Sequence, residues 1–334
     1  MSSTCRLASK AGPRVISELF NNAKRTELQN LAALTGNPVS ATKTQLISCL
    51  EQDYERTQDA YSAQSERGGL RDLRILSIDM GIRNLAFALL TSRVQQQSRS
   101  KEVQKPVVEL WRRIAVSATS TGRLETTPVN GEHHNSVDRG TSPMAVKESF
   151  EPNVMATYAL EYARYFAALR PTHILIERQR FRSGGGSAVQ EWTIRVGMFE
   201  SMLYAIFEAL QGRDGFHAVM QPILPARVNK FWLETEGVLP PTYDMTQESS
   251  KLSSVRAKLL KIELVRQMIQ HDQTDGRDAQ VSFGGQTQTI CELYSAGSRG
   301  RSSRGGGKLD DLSDSLLQGL AWLRWLDYKL RHVT

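Results

Sequence analysis

Two short apolar runs that each end in a carboxylate constrain this chain more than any other feature. The first is Leu73-Arg74-Ile75-Leu76-Ser77-Ile78, which runs into Asp79-Met80-Gly81 and then into Asn84-Leu85-Ala86-Phe87-Ala88-Leu89-Leu90. The second, much further along, is His173-Ile174-Leu175-Ile176-Glu177. Apolar runs of this length bounded by turn residues read as buried strands. A carboxylate inside such a stretch is costly unless it is paired or binds a cation. Gly81 permits a tight turn close to a ligand, where a side chain would obstruct, so residues 73–90 read as a β-hairpin with Asp79 at its mouth. Glu177 lies at a strand end, where open α/β sheets place ligands. A plain turn Asp at position 79 is the competing reading of the first run taken alone.

A third acidic feature lies near the C terminus. Leu309-Asp310-Asp311-Leu312-Ser313-Asp314-Ser315-Leu316-Leu317-Gln318-Gly319-Leu320 has helical periodicity. At ~100° per residue Asp314 falls ~40° from Asp310 and ~60° from Asp311 on the helix wheel. Leu312, Leu316, Leu317 and Leu320 form the face that would lock this helix to a sheet. Acids at a helix start complement the helix dipole, which explains one or two of them. It does not explain the Gly/Ser-rich basic stretch that leads in, with Arg299, Arg301, Arg304 and Lys308, which reads as disordered. One strand-borne Asp, one strand-borne Glu and helix-borne acids are hard oxygen ligands suited to Mg²⁺ or Mn²⁺. Their like charges cannot share a small site without cations. Two ions ~4 Å apart can activate water and stabilise a leaving phosphodiester oxygen, so the pattern points to two ions per site.

The partner follows from charge. The chain carries 42 Lys and Arg against 35 Asp and Glu, a net charge of +7, which favours a polyanion, either nucleic acid or an acidic membrane surface. With no run of ~18 apolar residues, no transmembrane helix is expected. Three dispersed cysteines, Cys5, Cys49 and Cys291, exclude a disulfide framework and fit a reducing compartment. Neither a GxxxxGK[ST] loop nor a GxSxG elbow is present, and no small-molecule cofactor is expected. Arg178, Arg180 and Arg182, with Gly184-Gly185-Gly186, follow Glu177. Guanidinium groups pair well with phosphates, and glycines let a backbone approach them.

Residues 1–15 are free of acids and bear Arg6, Lys10 and Arg14 among several serines, as in a mitochondrial targeting segment; a frayed basic terminus is the alternative. Residues 16–53 read as helical, broken at Gly36-Asn37-Pro38. Leu28, Leu31, Gly36, Ser40-Ala41-Thr42-Lys43, Leu46 and Leu50 resemble the SAP motif, a small DNA-binding helical module, although Asn37 stands where that motif has a small hydrophobe. In such a module Lys24, Arg25 and Lys43 would contact phosphates; a helical hairpin that merely packs on the main domain is the other reading. A linker is expected over 54–72, a main domain over 73–330, and mobile inserts over about 118–149 and 272–307. His133-His134, in the first insert, reads as solvated loop rather than metal site. The amphipathic segment Lys251–His271, with Lys258 and Lys261 among its cations, reads as a solvated or DNA-facing surface.

Ser77-Ile78-Asp79-Met80-Gly81-Ile82-Arg83-Asn84-Leu85-Ala86 resembles the opening hairpin of RNase H-like nucleases. Among them it is most similar to the fungal mitochondrial Holliday junction resolvases. The Leu175-Ile176-Glu177-Arg178-Gln179 stretch, the Pro225–Trp232 segment and Lys308–Trp322 resemble later motifs of that family, in order. The resemblance implies an α/β fold with an RNase H-like mixed sheet flanked by helices. It also implies that Asp79, Glu177 and the Asp310/Asp311/Asp314 cluster are catalytic metal ligands. A four-way DNA junction as substrate, a homodimer and a mitochondrial location follow from it as expectations. Helix phase leaves open whether Asp310 or Asp311 serves. An RNase H-like nuclease for another substrate and a non-catalytic mitochondrial nucleoid protein are the alternatives.

Overall fold

Side-chain alternation along the acid-tipped strands decides the layers. The computed structural model describes residues 13–62, 70–97, 100–116, 149–179, 191–235, 250–274, 279–296 and 306–333. Strand β1 (Leu70–Asp79) pairs antiparallel with β2 (Leu85–Gln97), Ile75 opposite Leu90 and Asp79 opposite Ala86. It pairs parallel with β5 (His173–Glu177), Ile78 beside Ile176. With β3 (Ser100–Val103), β4 (Val107–Ile114), β6 (Val219–Ile223) and β7 (Ser282–Phe283), they form a mixed sheet of order β6-β5-β1-β2-β4-β7, with β3 on the far end of β2. Successive side chains leave opposite faces. Leu76, Ile78, Ile174 and Ile176 enter a core with Met155, Tyr162 and Phe166 of α4 (Pro152–Ala168) and Phe199 and Phe207 of α5 (Glu191–Leu210). Ile75 and Leu175 enter the opposite core, with Leu312, Leu316, Leu317 and Leu320 of α9 (Gly306–Val333). Asp79 and Glu177 therefore belong, by parity, to the α9 face.

Buried polar groups fix α9 on the sheet. The Gln318 side-chain amide donates toward Ser77 Oγ (3.0 Å), the Ile78 carbonyl (3.2 Å) and the Leu175 carbonyl (3.3 Å). The Trp111 and Trp232 indoles donate to the carbonyls of Leu312 and Leu317. Gly319 lets the helix come close, since a Cβ there would sit 3.2 Å from Ser77 Cβ and 2.6 Å from Leu90 Cδ1. Trp322 and Trp325 are buried in the core.

The N-terminal module has three described helices rather than two: α1 (Pro13–Asn22), α2 (Arg25–Leu34) and α3 (Lys43–Ser62). Leu28, Ala32, Leu46 and Leu50 make its core. It docks on the main domain. Gly36, at φ +74°, lies where a Cβ would strike the Trp325 ring at 2.4 Å. Arg227 donates to the Gly36 carbonyl (3.0 Å). Asn37 donates to Asp53 (2.8 Å), which in turn pairs with Lys329 of α9 (3.2 Å). The polar residue at the motif's apolar position thus belongs to a bridge between module and core.

Three boundaries differ from expectation. The 54–72 linker is short, because α3 runs on to Ser62 with Tyr54, Thr57 and Tyr61 buried, and β1 begins at Leu70. The sequence reading had no β3, whose Ser-Lys-Glu-Val composition lacks an apolar run. The 272–307 insert is partly ordered: it holds β7 and α8 (Gln288–Ala296), because Ile290, Cys291 and Tyr294 are buried and Tyr294 stacks on Trp111 at 5.2 Å. Most of the first insert, with His133-His134, lies outside the described residues.

Candidate active site

The first two acids reach the site from neighbouring parallel strands. Ile78 pairs with Ile176, so Asp79 and Glu177 stand one register step further on, side by side at the strand ends. Gly81 is required just beyond, because a Cβ there would lie 2.7 Å from the Asn84 carbonyl oxygen. Glu177 acts on Asp79 through its charge and through a side-chain hydrogen bond. Desolvation first, then the Glu177 charge and that hydrogen bond, then the charges of Asp314 and Asp311, hold Asp79 well above the ordinary carboxylate range. Acids from three distant parts of the sequence therefore act on one another across one pocket.

Asp310, Asp311 and Asp314 sit on the second and third turns of α9, a turn deeper than expected, because the helix already starts at Gly306. Asp311 is pushed up to about 7 by burial and by Asp310, against the opposing charge of Arg113. Arg113 stands 3.9 Å from Asp311 and donates to the Asn84 side chain at 2.8 Å. Burial also raises Asp314, opposed by Lys261. The buried Asp310 Oδ1 and Asp311 Oδ2 atoms have no hydrogen-bond partner among the described residues. Helix phase left Asp310 and Asp311 equivalent; in three dimensions Asp311 acts on Asp79, whereas Asp310 turns to Lys258.

Sequence reasoning missed several groups here. Lys258 and Lys261 of α7 (Ser250–Thr274) point at the acids: Lys258 pairs with Asp310 at 2.5 Å and Lys261 with Asp314. That corrects the reading of Lys261 as a solvated or DNA-facing surface, whereas Lys258 pairs with Asp310 and still stays exposed. An inward face and a solvated face carry the same periodicity, so the helix alone gave no signal. Glu200 on α5 accepts from the Gln179 backbone N–H (3.2 Å), and the Gln179 side chain donates to the Met80 carbonyl (3.3 Å). Together they tie the chain after Glu177 to the chain after Asp79. Arg178 is exposed beside them.

The proposed DNA contacts are distributed unevenly. Lys24, Arg25 and Lys43 are all exposed; Lys43 donates to the Asn21 carbonyl and Arg25 to the Ala41 carbonyl, within the module. Arg180, Arg182, Arg299, Arg301 and Arg304 lie outside the described residues, and Lys308 falls in the first turn of α9.

Divalent-metal ligation can be tested on the donor set itself. Raised Asp79, Asp311 and Asp314, with Glu177 acting on Asp79, and two buried carboxylate oxygens with no hydrogen-bond partner among the described residues form a concentration of hard oxygen donors, and this fits a hard divalent cation. As the side chains stand, no three His, Cys, Asp or Glu groups among the described residues converge closely enough to cage one ion. Lys258 and Lys261 draw Asp310 and Asp314 toward α7, and Asp79 and Glu177 are bound to each other.

Residues 75–331 match the family described as "Mitochondrial resolvase Ydc2 / RNA splicing MRS1". The mitochondrial cruciform cutting endonuclease 1 of Schizosaccharomyces pombe is 24% identical over 314 residues, 92% of this chain and 94% of its own. The Saccharomyces cerevisiae protein of the same name is 21% identical over 335 residues, 94% of this chain and 85% of its own. The crystal structure of the yeast mitochondrial Holliday junction resolvase Ydc2 superposes with a TM-score of 0.52 at 23% identity, over 92% of this chain and 95% of that one. The shared fold is the RNase H-like mixed sheet flanked by helices.

Proposed function

The chain belongs to the family of the mitochondrial resolvase Ydc2 and the RNA-splicing protein MRS1, and on that footing we propose that it is a mitochondrial nuclease that resolves four-way DNA junctions by metal-dependent nicking. The observation that carries this reading is the burial of Asp79 beside Glu177 at paired strand ends, where the charges of Asp314 and Asp311 also reach it. Gathering like charges in a desolvated site costs stability. A protein that only binds RNA or DNA has no use for them, since they repel phosphates. A hydrolase that turns a metal toward a phosphodiester does.

In this reading Asp79, Glu177, Asp311 and Asp314 hold the metal, with Asp310 as an adjoining donor, and Mg²⁺ or Mn²⁺ suits the all-oxygen set. When bound, a pair of such ions supplies a water nucleophile at neutral pH and charge stabilisation for the leaving oxygen. The protein's own groups do the rest. The Gln179–Glu200 tie fixes the Glu177 strand end against the Asp79 turn. Arg113 stands beside Asp311. Arg178, Arg180 and Arg182 grip phosphates next to the cut. Arg299, Arg301, Arg304 and Lys308 are further phosphate contacts in this reading. A homodimer supplies the two sites that two opposed nicks require; Leu160, Trp192 and Ile194, exposed on α4 and α5, offer apolar surface for a second copy to cover.

The N-terminal module adds sequence-independent affinity. Replacing Lys24, Arg25 and Lys43 together by Ala is expected to weaken junction binding roughly tenfold and to flatten the slope of log affinity against log salt by up to about 3. Unchanged affinity and slope in a salt titration would leave the module with only its docking role. The function itself is tested with a synthetic four-way junction. Paired nicks on opposed strands, with 5′-phosphate and 3′-hydroxyl ends and no cutting in EDTA, are expected. Junction binding without metal-dependent cutting, or faster cutting of an RNA–DNA hybrid, would replace the reading.

A further inference from the structure

The acid cluster is not without cations: α7 supplies two, and they differ. The Lys261 side chain is 7% exposed and its ammonium is bonded to Asp314. The Lys258 side chain is 53% exposed and reaches in from the rim to Asp310, whose own side chain is 8% exposed. Asp310 Oδ2 takes the lysine, while the buried Asp310 Oδ1 has no hydrogen-bond partner among the described residues. Arg113, on the sheet side, faces Asp311 at 3.9 Å. The acids on α9 thus meet one enclosed ammonium, one guanidinium at a distance and one ammonium with open solvent behind it.

We propose that Lys258 and Lys261 are resident counter-ions of the acid site with divided roles: Lys261 is a fixed positioning residue that orients Asp314, and Lys258 is an exchangeable cation that gives way when a divalent ion enters. The division follows from surroundings. An enclosed ammonium has no solvent beside it to swing into, so it stays against Asp314. A rim lysine regains full hydration and rotamer freedom by swinging outward. When Lys258 swings out, both oxygens of Asp310 are free. The same movement brings its charge to the surface where a DNA phosphate would approach, so metal loading and phosphate attraction become linked through one side chain. Until then the paired acids keep the metal-free cluster from expanding.

This rests on the cluster being a metal site, so the test separates the two ideas by measuring metal binding without DNA and without turnover. Mn²⁺ is titrated into the full-length protein, and free Mn²⁺ is followed by electron paramagnetic resonance, for the unmodified protein, Lys258→Ala and Lys261→Met. Lys258→Ala is expected to bind Mn²⁺ about tenfold more tightly, since a competing unit charge a few ångströms away is gone. Its thermal midpoint in EDTA should fall less than that of Lys261→Met, whose ammonium is the enclosed one. Lys261→Met is expected to unfold at a lower temperature in EDTA and not to bind Mn²⁺ more tightly. Mn²⁺ affinity unchanged or weakened in Lys258→Ala would overturn the exchangeable role. Equal tightening in both variants would overturn the division. If the Lys261 variant fails to fold, that agrees with its fixed role, and the Lys258 measurement still decides the exchange. No Mn²⁺ binding by the unmodified protein would instead remove the metal site on which the inference stands.

Discussion

Asp79→Asn should abolish junction cutting and leave junction binding intact. The amide keeps the shape of the side chain and its place at the end of β1 but cannot supply an anionic ligand. Losing several kcal/mol of metal-assisted stabilisation lowers the cutting rate by at least about a thousandfold. The phosphate grip lies elsewhere, on arginines and lysines, so affinity measured in Ca²⁺ or EDTA should stay within about twofold. A second consequence separates this site from a structural turn. Asp79 is held well above the usual carboxylate range by burial and by Glu177, Asp314 and Asp311. At neutral pH the folded protein bears the cost of that mismatch, and the cost disappears when the group is neutral. The metal-free variant should therefore melt a few degrees higher than the unmodified protein. A lower melting temperature together with lost binding would assign Asp79 to architecture instead.

Gln318→Leu is expected to lower stability by about 2–4 kcal/mol and to reduce cutting by at least about tenfold. The side chain is buried, and its amide serves Ser77 Oγ and the carbonyls of Ile78 and Leu175. A leucine of similar volume fills the space but leaves those acceptors without a donor, and each buried unsatisfied group costs about 1–3 kcal/mol. The carbonyls belong to residues directly before or near Asp79 and Glu177, and the donor lies four residues beyond Asp314. Relaxation of α9 therefore moves one wall of the site against the other. Denaturant melts and single-turnover cutting rates measure both effects; a stability change below about 1 kcal/mol with normal cutting would show that apolar packing alone holds the helix.

The hairpin, the strand ending at Glu177 and the apolar stripe of α9 were all readable from the residues, because an acid abutting a buried apolar run is a local conflict that calls for a partner or a cation. The grouping of Asp79 with Glu177 was implied by family resemblance; strand parity and register supply its physical reason. Other groups were hidden for identifiable causes. Lys258 and Lys261 meet the acids only because α9 lies across their helix, a fact of tertiary structure. Gln318 looks like an ordinary polar residue until the strand carbonyls beneath it are seen. Asn37 looked like a departure from the SAP-like pattern and is a tie through Asp53 to Lys329. The buried run Ile290, Cys291 and Tyr294 was obscured by the Gly- and Ser-rich stretch that follows it.

Convergence of the acids can be measured on the polypeptide itself. Fe²⁺ loaded into the site in place of Mg²⁺, with ascorbate and peroxide, generates hydroxyl radicals that cut the nearest backbone. Scission is expected at three places, next to Asp79, next to Glu177 and within Asp310–Asp314, all suppressed by excess Mg²⁺ and absent in Asp79→Asn. Scission at one of these places without the others, or at all three regardless of Mg²⁺, would mean that these carboxylates do not share a metal.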